Sequence, residues 1–428
     1  MTRPSGDART AAITQRDLRG AQGEADGYTR RSERQGNAPC SRDSATVDGR
    51  PQAAKGRNDK GRARKGAKPE RSDEAIYGAL DLGTNNCRLL VARPSRRGFF
   101  VIDAFSRIIR LGEGLLGTGR LSDQAIDRTI EALKVCAEKM SRRGVSRSRL
   151  IATEACRIAD NREEFLDRIR RETGLNIEIV SQETEAKLAV SGCSSLIDPN
   201  SDWALIFDIG GGSSELIWLD LAQFKRRWRG SLTDRLDVQD CIAAWTSLPI
   251  GVVNLAERHG GRDLTGEGYE AMVQEVTAAV EAFEAKHKFR DRITNGGAHF
   301  LGTSGTVTTI AGVHLKLPFY ERSRVDGCWL SADEARAVSM DLSTMSYADR
   351  VAQPCIGQER ADLVLAGCAI LEALFRMWPC ERVRVADRGL REGILATLMA
   401  EDGHEGKLRR RRRRRRRGNG SSPKSSAG

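Results

Sequence analysis

The chain has 428 residues, is 39% hydrophobic and carries a formal net charge of +12. That length allows two or three domains and a sizeable core, and no apolar run is long enough to predict a membrane span. The charge sits at the ends: residues 1–74 carry +6, residues 402–428 carry +9 and the body between carries −3, so the folded part is not read as a nucleic-acid binder.

Residues 1–74 are rich in Arg, Gly, Ser and Asp and poor in large apolar residues. Such a segment cannot bury enough surface to offset its ordering entropy, and disorder is expected. No apolar h-region is present, and Asp7, Asp17, Glu24 and Asp26 argue against a transit peptide. The ten cysteines show no CxxC spacing and the five histidines add no zinc pattern. Free thiols in a reducing cytoplasm are the expectation.

Ile76–Asp81, Arg88–Arg93 and Phe99–Phe105 read as three successive strands. Ser122 opens a helix with Ile126, Ile130, Leu133 and Ala137 on one face. A strand at Leu150–Thr153, a helix at Asn161–Arg171, a strand at Asn176–Val180 and a helix at Glu183–Ser191 follow. A second copy starts at Trp203, with strands Ala204–Asp208 and Glu215–Asp220 and another strand expected within 222–250. Then come a long helix at Tyr269–Lys286, a strand at His299–Thr303 and a helix from Gly305. Helices near 331–342 and 361–376, a strand at Arg382–Val385 and a last helix near Leu390–Met399 complete the body. The prediction is an α/β protein of two similar halves, 75–198 and 199–401, joined near Asp198-Pro199-Asn200, with the last helix able to pack back on the first half. The tail 402–428 is expected to be disordered, its run Arg409–Arg417 kept extended and solvated by like-charge repulsion.

Two glycine-rich turns carry the chemistry. Ala79-Leu80-Asp81-Leu82-Gly83-Thr84-Asn85-Asn86 and Phe207-Asp208-Ile209-Gly210-Gly211-Gly212-Ser213-Ser214-Glu215 each end an apolar strand. Glycine lets the backbone approach a phosphate, and free N–H groups bind its oxygens. Thr84, Asn85, Asn86, Ser213 and Ser214 add side-chain donors. Asp81 and Asp208 would repel a phosphate unless a hard cation lies between, which implies Mg²⁺ or a similar ion. Either turn alone is also compatible with a tight hairpin capped by aspartate; the pair points to a cleft with a phosphate loop on each side. A third turn, Gly302-Thr303-Ser304-Gly305-Thr306, passes from strand to helix, where an anion is favoured, although an ordinary capped connection has the same form. Arg157 has a guanidinium suited to phosphate oxygens or to a surface ion pair. Glu183 and Glu185 open a helix, either to offset its dipole or, for one of them, to orient water as a general base.

Taken together, these segments resemble the exopolyphosphatase / guanosine pentaphosphate phosphohydrolase family of the actin / sugar-kinase / Hsp70 superfamily. Arg110-Leu111-Gly112-Glu113-Gly114, Ala152-Thr153-Glu154-Ala155-Cys156-Arg157, Glu183-Thr184-Glu185-Ala186 and Gly389-Leu390-Arg391-Glu392-Gly393 complete the set in family order. The resemblance covers about 76–400 and is to the short two-domain form. It implies two actin-like (ribonuclease H-like) domains with a cleft, and release of terminal orthophosphate from polyphosphate or pppGpp by metal-assisted attack of water. It assigns Glu185 as base, with Glu183 the alternative, and Arg157 as the phosphate-binding arginine. Asp208 and Glu215, with Asp81, become metal-side carboxylates for Mg²⁺ or Mn²⁺. Thr84, Asn85, Asn86, Gly210, Gly211, Gly212, Ser213 and Gly305 become substrate contacts. A cytoplasmic homodimer is the expected form. Two competing readings stay open: an ATP-dependent kinase or ATPase of the same superfamily, and a polyanion-binding protein acting through Arg409–Arg417.

Overall fold

A computed structural model describes residues 75–95, 98–198, 200–222, 232–294 and 297–404. The expectations for residues 1–74, for Pro199 at the junction and for the arginine run fall outside these described residues.

The first sheet has the order β3-β2-β1-β4-β5. Its strands are β1 (Tyr77–Leu82), β2 (Asn86–Ser95), β3 (Gly98–Ile108), β4 (Arg147–Ala152) and β5 (Glu178–Ile179). β1, β2 and β3 form an antiparallel meander, and β4 and β5 add in parallel. The second sheet has the order β10-β11-β9-β6-β7-β8. Its strands are β6 (Trp203–Ile209), β7 (Ser214–Asp220), β8 (Ile242–Leu248), β9 (Ala298–Thr303), β10 (Trp329–Ser331) and β11 (Arg382–Ala386). Again three strands form an antiparallel meander and two add in parallel; β10 is an extra antiparallel edge.

The repetition extends to individual positions. A step of 127 residues takes Asp81 to Asp208 and its cross-strand partner Arg88 to Glu215. The same step takes the bulge at Val91/Ala92 to the bulge at Trp218/Leu219. Both inner strands are buried on both faces, which explains why Ala204-Leu205-Ile206-Phe207 reads as a continuous apolar run.

The helices follow their sequence signals closely. Ser122 caps Asp123–Arg142 by accepting from the Ala125 N–H, and Ser331 with Glu334 forms a capping box on Ala332–Thr344. Short elements were not anticipated: helices Leu115–Thr118, Glu154–Ile158, Leu232–Asp237, Val252–His259, Phe289–Thr294, Arg322–Val325 and Tyr347–Ala352, and strand β10. Helix Leu390–Glu401 packs on helix Gln182–Cys193 and on β1. A side chain at Gly393 would lie 2.1 Å from the Leu188 carbonyl oxygen, so the two helices touch through backbone. This packing brings chain from both halves into one core, with Tyr77, Ala79 and Leu90 beside Ile206, Ile217 and Met399.

Among the described residues no helix is long and apolar enough to cross a membrane. The nine cysteines there are free.

Candidate functional site

The β1–β2 and β6–β7 turns meet. A Cβ on Gly211 would stand 3.0 Å from Thr84 Cβ, and one on Gly212 would stand 2.7 Å from Thr84 Oγ1. Only glycine allows the two loops this approach. Where they meet lies a cavity of about 130 Å³. Its wall includes twelve of the residues singled out from the sequence: Asp81, Thr84, Asn85, Asn86, Glu185, Asp208, Gly210, Gly211, Gly212, Ser213, Glu215 and Gly305.

The loops present unused hydrogen-bonding groups. The N–H groups of Thr84, Asn85, Gly211 and Gly212 find no acceptor among the described residues. The buried Oδ1 atoms of Asn85 and Asn86 likewise lack a donor; rotating either amide would present its NH₂ instead. Buried amides without partners are costly, and a ligand rich in oxygen acceptors would satisfy these. Ser304, at φ 84°, sits in the left-handed region and donates from Oγ to the Ile209 carbonyl at 2.6 Å. This ties the third glycine turn to the base of the second loop.

Glu185 and Glu183 part company. Glu185 is buried and faces the cavity. Glu183 is exposed and pairs with Lys187 at 2.6 Å. Arg157 is not on the cavity wall. Its guanidinium donates to Glu154 Oε2 at 2.8 and 3.0 Å, to Glu185 Oε2 at 3.0 Å and to the Val180 carbonyl at 2.6 Å. It stands behind Glu185, holding the carboxylate rather than facing a ligand.

Among the described residues, the cationic side chains on the wall are Arg88 and Arg360, neither assigned to the site from the motifs. Arg88 could have been found from its register: it lies opposite Asp81 across the hairpin, so the two share a face. Arg360 carries no local signal; it donates to Thr309 Oγ1 at 3.2 Å from a turn preceding helix Val364–Met377.

The acids are under strain from burial and from one another. Burial, then Glu215 and Asp81, push Asp208 up to about 7. Burial also raises Asp81, against the pull of Arg88 and Arg391. Glu185 is raised well above the usual carboxylate range, by burial and then by Glu215, with Arg157 opposing. Burial raises Glu215 although its Oε1 accepts from Ser213 and Ser247, each at 2.8 Å. Among the described residues no three His, Cys, Asp or Glu side chains converge as a ready metal cage. Asp81 and Asp208 nonetheless face the cavity with no side-chain donor among the described residues. Mutually repelling oxygen ligands of this kind suit a hard cation that keeps several waters and shares substrate phosphates.

The Ppx/GppA phosphatase family model matches residues 90–402. A guanosine-5'-triphosphate,3'-diphosphate pyrophosphatase from Aeromonas salmonicida is 28% identical over 327 residues, 76% of this chain. The chain spans 60% of that relative's length. Among solved structures, an exopolyphosphatase-like protein is 27% identical with a TM-score of 0.65, covering 77% of this chain and 99% of its own. A Ppx/GppA family member from Aquifex aeolicus is 26% identical with a TM-score of 0.59, covering 77% and 98%. An exopolyphosphatase from Cytophaga hutchinsonii, 22% identical with a TM-score of 0.66 over 76% and 98%, shows the fold alone. The two repeated sheets are thus actin-like halves, as the sequence predicted.

Proposed function

Because the chain belongs to the Ppx/GppA phosphatase family, we propose that it is a phosphohydrolase releasing terminal orthophosphate from inorganic polyphosphate or pppGpp. One observation carries the reading most: a buried carboxylate, Glu185, opens onto the same cavity as four loop N–H groups that lack acceptors among the described residues. The relatives' names support the substrate class.

The N–H groups of Thr84, Asn85, Gly211 and Gly212 hold the terminal phosphoryl oxygens and stabilise the charge that builds on them. Glu185, in its ionised form held by Arg157, accepts a proton from water as the water oxygen bonds to phosphorus. The anhydride P–O bond breaks and its electron pair leaves with the shortened chain. Arg157 keeps Glu185 oriented and Arg88 and Arg360 face the substrate's remaining charge. Asp81 and Asp208, with Glu215 behind, would hold Mg²⁺ or Mn²⁺, which would neutralise phosphate charge and polarise the anhydride. The arginine tail adds a polyanion contact, and the protein works as a homodimer in the cytoplasm.

The test is release of orthophosphate by the full chain with Mg²⁺ and, separately, long-chain polyphosphate, pppGpp and ATP. Release from polyphosphate or pppGpp, lost in Glu185→Gln, is expected and ranks the substrates. Release from ATP alone would favour an ATPase or kinase. A folded protein inactive on all three would favour a polyanion-binding role.

A further inference from the structure

Two contacts bridge the halves beside the loops. Arg110 donates to both carboxylate oxygens of Asp362, Nη1 at 2.8 Å and Nη2 at 2.9 Å, and to the Glu359 carbonyl at 3.2 Å. Close by, the Gly114 N–H donates to Glu257 Oε1 at 2.8 Å. A forked arginine–carboxylate pair fixes orientation as well as distance. The pair is mostly sheltered, with side-chain exposures of 28% and 21%, so it is worth more than an open surface bridge.

Each of the two contacts leads to a phosphate loop through backbone, the Arg110 side of the first to the Thr84-Asn85 loop and the Glu257 side of the second to the Gly210-Gly211 loop. On one side, the Ile109 and Arg110 N–H groups donate to the Asn85 carbonyl, and the Gly112 N–H donates to the Thr84 carbonyl. Arg110 is therefore bonded to the loop that it would position. On the other side, the Val252 and Val253 N–H groups donate to the carbonyls of Gly210 and Gly211. Helix Val252–His259, which carries Glu257, thus backs the second loop. Asp362 is rooted by the buried Arg350, which donates to the adjacent Ala361 carbonyl at 3.2 Å. Arg110 adopts φ 47°, a left-handed conformation that a non-glycine residue keeps only when its surroundings impose it. A second cavity, of about 150 Å³, lies against the bridge; Asn85 and Leu363 line it and the first cavity alike.

We propose that Arg110 and Asp362 are a positioning pair, a clasp that holds the Thr84-Asn85 loop against the Gly211-Gly212 loop and so sets turnover. The role in turnover rests on the phosphohydrolase reading; the clasp itself does not. Neither residue lines the first cavity, so neither is catalytic. Loosening the clasp misplaces donors that must act together, which lowers kcat more than it weakens substrate binding.

The experiment compares the full chain with Arg110→Gln, Asp362→Asn and the reversed pair Arg110→Asp with Asp362→Arg. Aspartate tolerates the left-handed conformation at 110 better than most residues, so the reversed pair is compatible with the backbone. Amide hydrogen exchange is read at 84–86 and 210–213, and kcat and KM with whichever substrate is turned over. Each single variant is expected to speed exchange in both segments and to lower kcat about tenfold, with KM within about threefold. The reversed pair is expected to recover both. Faster exchange confined to 109–114, an unchanged kcat in an active enzyme, or a reversed pair no better than the singles would overturn the proposal. If a single variant loses its cooperative thermal transition, Arg110→Lys replaces it: charge without the fork is expected to give an intermediate exchange rate, and a wild-type rate would count against the clasp. If the wild type hydrolyses nothing, the hydrolase reading falls while hydrogen exchange still decides the clasp.

Discussion

Arg157 Nη2 lies 3.0 Å from Glu185 Oε2 and 2.8 Å from Glu154 Oε2, so one guanidinium nitrogen serves two carboxylates. Glu154 and Glu185 are buried and both line the cavity. Without a cation behind it, Glu185 would face Glu215 and Asp81 unopposed. The arginine therefore limits how far burial can raise the Glu185 carboxyl.

Replacing Arg157 by Gln should raise the Glu185 pKa further, because the removed charge is one that lowers it. A general base works only when ionised, so the acid limb of the kcat/KM profile should move to higher pH. Much of the lost rate should return at alkaline pH. If Arg157 instead bound substrate phosphate, KM would rise and the acid limb would stay in place.

The sequence made the frame legible because glycine turns, apolar runs and caps are local signals. Asp81, Gly210 to Gly212 and Glu185 could be placed because each belongs to a turn or helix start with its own pattern. Arg157 stood out in its motif, but its orientation was not legible there, since its partners Val180 and Glu185 lie 23 and 28 positions away. Arg110 and Asp362 are 252 positions apart, and no periodicity links them. Helix Val252–His259 was missed for a related reason: it is too short for a clear apolar stripe, and its start is fixed by bonds to Gly210 and Gly211.

Asp208 should make the metal-free protein less stable as pH rises. Its folded pKa of about 7 exceeds the ordinary 3.8, so the folded state binds this proton more tightly. The favourable contribution is fully present below about pH 4 and is lost as pH climbs through about 7. At about 1.4 kcal/mol for each tenfold change in proton affinity, the ionised form costs the fold on the order of several kcal/mol. Melting from pH 5 to 8 in chelator should show a falling Tm in the wild type and a flatter one in Asp208→Asn. Adding Mg²⁺ at pH 8 should raise the wild-type Tm and leave Asp208→Asn nearly unmoved. Parallel slopes would remove Asp208 as the strained acid, and equal Mg²⁺ responses would remove it as a ligand.

Gly212→Ala should disable the site by forcing the loops apart, since the new methyl group would sit 2.7 Å from Thr84 Oγ1 and 3.3 Å from Thr84 Cγ2. Thr84→Ala deletes both atoms. The single glycine variant should lose about a hundredfold in kcat/KM, in keeping with a displacement near 1 Å. The double variant should be less impaired than additivity of the two singles predicts. Additive losses would mean that Gly212 is needed for its backbone conformation or its N–H rather than for loop contact.

The arginine run should matter for long substrates and low salt only. A truncation that tests this must begin after His404, because the last described residues secure the final helix: Tyr77 donates to Asp402 at 2.6 Å, and its hydroxyl is 2.7 Å from His404 Nε2. Arg147 also pairs with Asp402 and Glu401. Removing 405–428 takes away all nine consecutive arginines while leaving that anchor in place. A cationic segment raises the local concentration of a polyanion, and the gain falls as salt screens it. KM for long-chain polyphosphate should therefore rise severalfold at low ionic strength with kcat unchanged, and the difference should vanish by about 0.5 M salt, where the Debye length is only a few ångströms. pppGpp, with far fewer phosphates than a long chain to engage the arginines, should keep its KM. An equal rise for both substrates would mean that the tail acts on the folded body, and no rise for either would leave the phosphate loops and Arg88 as sufficient for capture.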